Sequence, residues 1–354
     1  MRDFPGSSTL SSLTAAPPPL SAGPYARLAL CLILTSSACG EQNIPAIGRR
    51  PAAIPTGSVP TTPSASIHDR GRVQVRDGNL LTDKGTRLRG VTFGFDGTPP
   101  DFHFGRALIA ELSNQTGLNA FHVYAENSDE TVGTHAAQMD ELVEATSVAG
   151  MYLILGVGGG RAGGSFDLEK LRDFWSFYAP RYATRPHVLY EIQNIPDPGC
   201  NVPYQPETLA MEQEIYALIR SAAPSTHVAL FSFISQPTGP ALAAALDAVE
   251  GSVDWSKASV AFHTQLCAEQ DNVAALLGVA RARGIAAFGS EMLYVSSFPS
   301  TAELEAQRVG WFNFEWLVRN RDLAAFRDAH TAAGISWCPD FGSWPEDSET
   351  CSTP

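Results

Sequence analysis

The chain has 354 residues, 44% of them hydrophobic and 17% charged, with 24 Lys and Arg against 37 Asp and Glu for a formal net charge of -13. That apolar content is enough for one large α/β core. The acidic balance, with no basic stripe, argues against nucleic acid as a partner and suits a neutral or cationic ligand better than a polyanion.

The first 39 residues read as an export signal rather than as fold. Residues 1–26 are rich in Pro, Ser and Ala and have no period. Arg27 then precedes the apolar run Leu28–Leu34, too short to span a bilayer as a helix, and small residues follow. Ser37-Ala38-Cys39-Gly40 resembles a bacterial lipobox, although Ser36 stands where that motif usually has Leu. A lipidated Cys39 would attach the protein to a membrane, and an ordinary signal peptide cleaved near Ala38 is the alternative. Either reading makes the protein an exported one of the cell envelope or outside it. Residues 40–68 form a Pro/Thr/Ser-rich linker without apolar periodicity, and the folded domain is expected over 69–354.

Outside the leader, Cys200, Cys267, Cys338 and Cys351 remain. None has zinc spacing and no Cys-x-x-Cys occurs, which leaves a metal site only as the weaker alternative. An exported chain with an even number of cysteines points to two disulfides among three connectivities. Cys200 follows the fourth strand described below and Cys267 the sixth, which suggests Cys200–Cys267, leaving Cys338–Cys351 to close a short C-terminal loop.

From Val73 the chain alternates short β-type runs with helical patterns. An Asp77-Gly78 turn joins two short strands. Strands follow at 87–93, 119–125, 151–157, in His187–Asn194, and at 227–233, 258–264 and 285–291, each pair separated by an amphipathic helical stretch. Ser165 is a candidate cap for the helix rich in Phe and Tyr, and Pro206 suits the first turn of the next. The stretch AELEAQRVGWFNFEWLVRN reads as a helix, with Trp311 and Trp316 as core residues, and ISWC (335–338) reads as the eighth strand. Eight nearly continuous apolar strands alternating with helices predict a (β/α)8 TIM barrel preceded by a hairpin. A doubly wound sheet is the runner-up, disfavoured because no Gly-x-Gly-x-x-Gly follows the first strand. GVGGGRAGG (156–164) lacks the Gly-Lys-Ser/Thr ending of a phosphate loop and reads as a plain strand-to-helix connection.

In such a barrel, function gathers at the C-terminal strand ends. These supply Phe93, Phe95 and Asp96; His122, Tyr124 and Glu126; Asn194; His263 and Gln265; Glu291; and Trp337, with Phe341 and Trp344 beyond it. Aromatic faces with carboxylates and amides suit a sugar ligand. No cofactor is implied.

LLTDKGTRLRGVTF, GLNAFHVY, FWSFYAPRYATRPHVLYEIQNIP, LIRSAAPSTHVALF and FGSE together resemble glycoside hydrolase family 5, the cellulase and mannanase family, over roughly residues 73–344. The resemblance implies a retaining glycosidase fold that acts as a monomer on oligo- or polysaccharides. Its chemistry needs two carboxyl groups about 5 Å apart. Glu291 matches the nucleophile position. The acid/base position follows Asn194 and is occupied by Ile195, which has no proton to give. His122 stands where the family has Arg, and Gln265 where it has Tyr. The resemblance thus assigns Asn194, His122, His263, Gln265, Trp337, Tyr124 and Phe95 to substrate binding.

Plainer readings stand beside these. Glu291 is a structural carboxylate, His263 packs at the rim, His122 is a satisfied strand histidine, and Glu191 is an internal ion-pair partner. Asp197, Glu126 and Asp129 are the rim carboxyls that could replace the missing acid. The functional expectation is a protein acting on or binding β-linked glycans. Its alternatives are an inactive surface carbohydrate-binding protein and, behind both, a protein-binding scaffold.

Overall fold

The computed structural model describes residues 70–94, 106–126, 130–158, 167–194, 204–233, 239–263, 270–292, 301–314 and 323–332. The leader, the linker, the four cysteines outside the leader, Phe95, Ile195, Gln265 and Trp337 lie outside the described residues, as do Asp96, Asp129, Ser165, Asp197, Trp316, Phe341 and Trp344.

The first elements are an antiparallel hairpin, β1 (Gln74–Arg76) and β2 (Asn79–Leu81). Asp77 and Gly78 both have positive φ, 52° and 71°, the requirement of a type I′ turn and the reason an Asp-Gly pair sits there. Eight strands follow: β3 (Arg89–Gly94), β4 (Ala120–Tyr124), β5 (Tyr152–Gly156), β6 (Val188–Glu191), β7 (Val228–Phe233), β8 (Ala258–His263), β9 (Ala286–Met292) and β10 (Gly310–Phe314). They pair in parallel and close into a barrel in chain order, with β10 returning to β3. Among the described residues the helices are α1 (Arg106–Thr116), α2 (Ala136–Val148), α3 (Leu168–Tyr182), α4 (Pro206–Ala222), α5 (Gly239–Val249), α6 (Gln270–Ala282), α7 (Thr301–Ala306) and α8 (Leu323–Ala332). The expected (β/α)8 barrel is the observed fold.

The strands are mostly apolar because both faces are covered. One face packs on the helices through residues such as Val123, Leu155, Val260 and Trp311. The other fills the barrel with Ala120, Ile154, Leu189, Phe288 and Phe312, and Leu80 of the hairpin packs into this inner cluster with Val73 and Val75 against it. Gly90 is required in β3. A Cβ there would come within 2.5 Å of the Phe312 ring and 2.6 Å of the Ala120 carbonyl.

Local signals were kept in most elements. Pro206 occupies the first turn of α4, where its missing N–H is not needed. The cap of α3 is Asp167, whose side chain accepts from the Lys170 N–H at 3.1 Å; this displaces the expected Ser165. A carboxylate two residues nearer the helix both satisfies the backbone and complements the helix dipole.

The eighth strand is a correction. It is Gly310–Phe314, not 335–338, and it lies inside the stretch expected to be one helix. That helix ends at Ala306, and Arg308 takes a left-handed φ of 59°, which breaks the turn. At Gly310 a Cβ would sit 3.0 Å from the Leu88 carbonyl, so the close strand approach needs glycine. Aromatic-rich GWFNF then alternates faces, with Trp311 outward and Phe312 inward. Trp311 is core as expected, but on a strand, stacked on His330 of α8 at 5.3 Å. The barrel is therefore closed by Gly310–Phe314, and the expected strand at 335–338, with Trp337, lies outside the described residues.

Two strands depart from strict alternation. In β7, Leu230 pairs with Val260 and Phe233 with Phe262, so β7 carries one extra residue. Phe231 there has φ 67°, a left-handed conformation costing roughly 1–2 kcal/mol in a non-glycine residue. Leu230 and Phe231 consequently both face the helices. In β9, Phe262 and Trp311 both pair with Gly289, while His263 pairs with Glu291 and Asn313 with Met292. Both neighbours thus place one extra residue in β9 after Gly289. Each is a β-bulge, a device that re-aims the side chains beyond it.

Candidate active site

The upper barrel interior is polar where the lower interior is apolar. His122 (β4), Glu191 (β6), Ser232 (β7), His263 (β8) and Ser290 and Glu291 (β9) are all buried. The bulges decide who belongs to this group. In β9, Phe288 faces inward, so simple alternation would send Glu291 out among the helices. The extra residue at Ser290 turns it inward instead, and Met292 resumes the outer face. Glu291 is 2% exposed, with Oε2 3.7 Å from His263 Nδ1.

His122 and Glu191 form a fully buried ion pair through Nε2 and Oε2. The Thr92 hydroxyl donates to the Ser290 carbonyl at 2.7 Å, and His122 Nδ1 lies 3.2 Å from that same carbonyl. The two ring nitrogens of His122 therefore face the Glu191 carboxylate on one side and the Ser290 carbonyl on the other. Burial works to raise the Glu191 carboxyl, but the charge and hydrogen bonding of His122, with His263 and the Ser232 hydroxyl beside it, hold it below its usual range. Burial lowers His263 to about 4, with Glu191 opposing and His122 adding to the fall. At neutral pH His263 is an uncharged neighbour of Glu291.

The expected reading of Glu191 as an internal ion-pair partner is what the structure shows. His122 lies against Glu191 through Nε2 and against the peptide carbonyl immediately before Glu291 through Nδ1. His122 stands where the resemblance puts an arginine, and here the imidazole meets the backbone before Glu291. Tyr124 is buried edge-on against His122, with ring centroids 4.6 Å apart. Asn194 is 8% exposed, its N–H bonded to the Val157 carbonyl at 3.0 Å, and its side-chain oxygen has no hydrogen-bond partner among the described residues.

Glu126 is not a rim acid. It is fully buried, accepts the Gly133 N–H at 2.6 Å and the Tyr178 hydroxyl at 2.7 Å, and lies 3.9 Å from Lys170 Nζ. Its oxygens hold the segment entering α2 to α3, which removes it as a stand-in proton donor. Ser232 and Glu212 were missed by the sequence reading. A serine in an apolar run gives no signal by itself, and only the bulge brings it inward.

Among the described residues no group of three or more His, Cys, Asp or Glu is placed to hold a metal ion. A cavity of about 290 Å³ opens at the other end of the barrel, lined by Arg72, Val188, His227 and Lys257. These stand before or at the start of β1, β6, β7 and β8, far from the strand ends that carry the polar cluster.

The fold has many counterparts among solved structures. The cellulase Cel5C_n superposes with a TM-score of 0.56 at 16% identity, over 77% of this chain and 94% of that one. The catalytic domain of Thermobifida fusca endoglucanase Cel5A (E5) gives 0.55 at 17%, over 69% and 84%. The β-mannanase of Thermomonospora fusca in its mannohexaose complex gives 0.56 at 16%, over 69% and 83%. No curated protein matches. The family model described as Cellulase (glycosyl hydrolase family 5) matches residues 109–292, just over half of the chain and six of the eight barrel strands, including β9 with Glu291. The chain belongs to glycosyl hydrolase family 5.

Proposed function

We propose that this barrel binds β-linked glycans at the end where Glu291 lies, with Glu291 as the nucleophile-position carboxylate and Ile195 in place of the proton donor. Hydrolysis of unactivated linkages is then impaired. The observation that carries the reading is the β9 bulge. It turns Glu291 out of the helix-facing layer and into the polar end of the barrel, beside His263. A purely structural carboxylate has no need of an irregularity in both strand pairings.

The chemistry follows from what flanks Glu291. A retaining mechanism needs a carboxylate to attack and an acid to protonate the departing oxygen. Asn194 lies three residues past the end of β6, and the next residue in the sequence, Ile195, is aliphatic. Losing general acid help costs about 10²–10⁴-fold for a poor leaving group. A leaving group that is stable as an anion does not need it. The relatives' complexes support the ligand class: the endoglucanase has been captured with cellotetraose and the β-mannanase with mannohexaose.

The test combines titration calorimetry with cello- and manno-oligosaccharides and rate measurements on an activated aryl β-glycoside. Binding is expected, with slow aryl glycoside turnover that Glu291→Gln abolishes. Natural oligosaccharides should be cleaved far more slowly. Binding with no turnover of either substrate identifies the inactive carbohydrate-binding alternative. Efficient cleavage of the natural glycan, or no glycan binding at all, overturns the proposal.

Export and attachment through Cys39 rest on the leader sequence alone. Cys39→Ala is expected to release the protein from the membrane fraction, and a mature wild-type protein without lipid refutes the attachment.

A further inference from the structure

We propose that Glu212, on a helix outside the barrel, is a positioning residue for the polar cluster: its carboxyl pins the β7 bulge, and the bulge presents Ser232 to Glu191. Glu212 lies on α4 and is fully buried. Its Oε1 accepts the backbone N–H of Phe231 at 3.3 Å. Phe231 is the bulge residue with φ 67°, a phenylalanine held in a conformation that ordinarily belongs to glycine. Such a residue persists only where its surroundings over-determine it. The surroundings are the Glu212 carboxyl on its N–H and the Tyr204 ring stacked on its side chain at 5.2 Å.

The consequence reaches the site through one peptide. Because Phe231 faces outward, the next residue, Ser232, faces the interior and the Glu191 carboxyl. Without the bulge, Phe231 would enter the barrel and Ser232 would leave it. β6 and β7 pair through Tyr190–Val228 and Glu191–Ala229, so the bulge begins just past their last paired residues. Glu212 sits behind that point.

The groups facing Glu212 are Glu191 from β6, the Phe231 N–H from β7 and Tyr204 from the segment before α4. No ion pair to it occurs among the described residues, and its second oxygen has no hydrogen-bond partner there. Burial raises its carboxyl to about 8, with the Phe231 N–H opposing and Glu191 adding to the rise. At neutral pH it is the uncharged acid, and ionisation sets a second carboxylate against Glu191. The arrangement therefore loosens as pH rises through about 8.

The inference rests on the reading of this cluster as the inner wall of the glycan site, but its test uses no glycan and so fails or succeeds separately from that reading. Two variants separate positioning from packing. Glu212→Gln keeps an oxygen for the Phe231 N–H and cannot ionise; Glu212→Leu has no acceptor. The readout is the ring NMR signals of His122 and His263 from pH 6.5 to 9 in ligand-free protein. In the parent, both should shift in one step centred near pH 8. Glu212→Gln should match the parent at pH 7 and lose that step, while a folded Glu212→Leu should show both rings displaced already at pH 7. A step that is absent from the parent or persists in Glu212→Gln overturns the proposal. So does a folded Glu212→Leu protein with unchanged ring signals; if that variant does not fold, the glutamine variant decides.

Discussion

His263 Nδ1 lies 3.7 Å from Glu291 Oε2 across adjacent strands, a juxtaposition created by the extra residue in β9. Burial keeps this histidine uncharged at neutral pH, so it neighbours the carboxylate without neutralising it. His122 is engaged by Glu191 instead, while Glu291 meets His263.

Ile195→Glu restores a carboxyl where the resemblance puts the proton donor. Its pKa should rise beside Glu291, as an acid catalyst requires. The expected gain on an unactivated β-glycan is roughly 10- to 100-fold, below the full general-acid effect because His122 and Gln265 replace the family's supporting Arg and Tyr. The gain on an activated aryl glycoside should be smaller. Steady-state rates on both substrates check this, and a folded variant no faster than the parent on any bound glycan rejects the degenerate-site reading.

Glu305 of α7 joins the start of β3 to β10. Arg89 clamps both its oxygens, Arg87 reaches it at 3.1 Å, and the Trp311 indole donates to it at 2.7 Å. Glu305→Ala leaves a largely buried arginine cluster without its carboxylate and should lower stability by about 3 kcal/mol. Urea unfolding measures it. Burial works to raise this carboxyl, but the Arg89 and Arg87 contacts hold it below its usual range. Its contribution is therefore complete above the unfolded carboxylate value and fades as pH falls through the depressed folded one. A variant within 1 kcal/mol of the parent would show that the closing strand does not depend on this cluster.

Three buried histidines predict an acid-side loss at higher pH. Burial lowers His227 to about 3 and both His263 and His330 to about 4, from an ordinary 6.5. Between about 6.5 and 4 the unfolded chain takes up protons that the folded chain refuses, so stability falls as pH falls. Thermal unfolding should show Tm declining through that window. His227→Gln removes one of the three groups and should flatten the decline; an unchanged slope counts against the assignment.

The two proposed disulfides, Cys200–Cys267 and Cys338–Cys351, are checked by peptide mapping under non-reducing conditions. The second closes a loop of about a dozen residues, worth about 3 kcal/mol in the chain-entropy model. Mapping that finds Cys200 joined to Cys338 or Cys351, or all four thiols free in exported protein, rejects the pairing.

Fold class was legible from the sequence because parallel strands buried on both faces must be mostly apolar, and seven of the eight stand out as such runs between helical patterns. Asp77-Gly78 and Pro206 were legible for the same local reason: their backbone chemistry admits few conformations. The eighth strand was not. Its five residues sit between two helical patterns, and what makes GWFNF a strand is the vacancy between β9 and β3 together with the glycine-tight approach to Leu88. Glu291 could be picked out by its place in FGSE, but periodicity alone sends it to the helices. Only the register of two neighbouring strands reveals the added residue that turns it inward. Ser232 and Glu212 were invisible for the same reason. A side chain's face is set by alternation until a bulge interrupts it, and a bulge is stabilised by contacts from distant elements, here a helix carboxyl on the Phe231 N–H, that no local stretch of sequence contains.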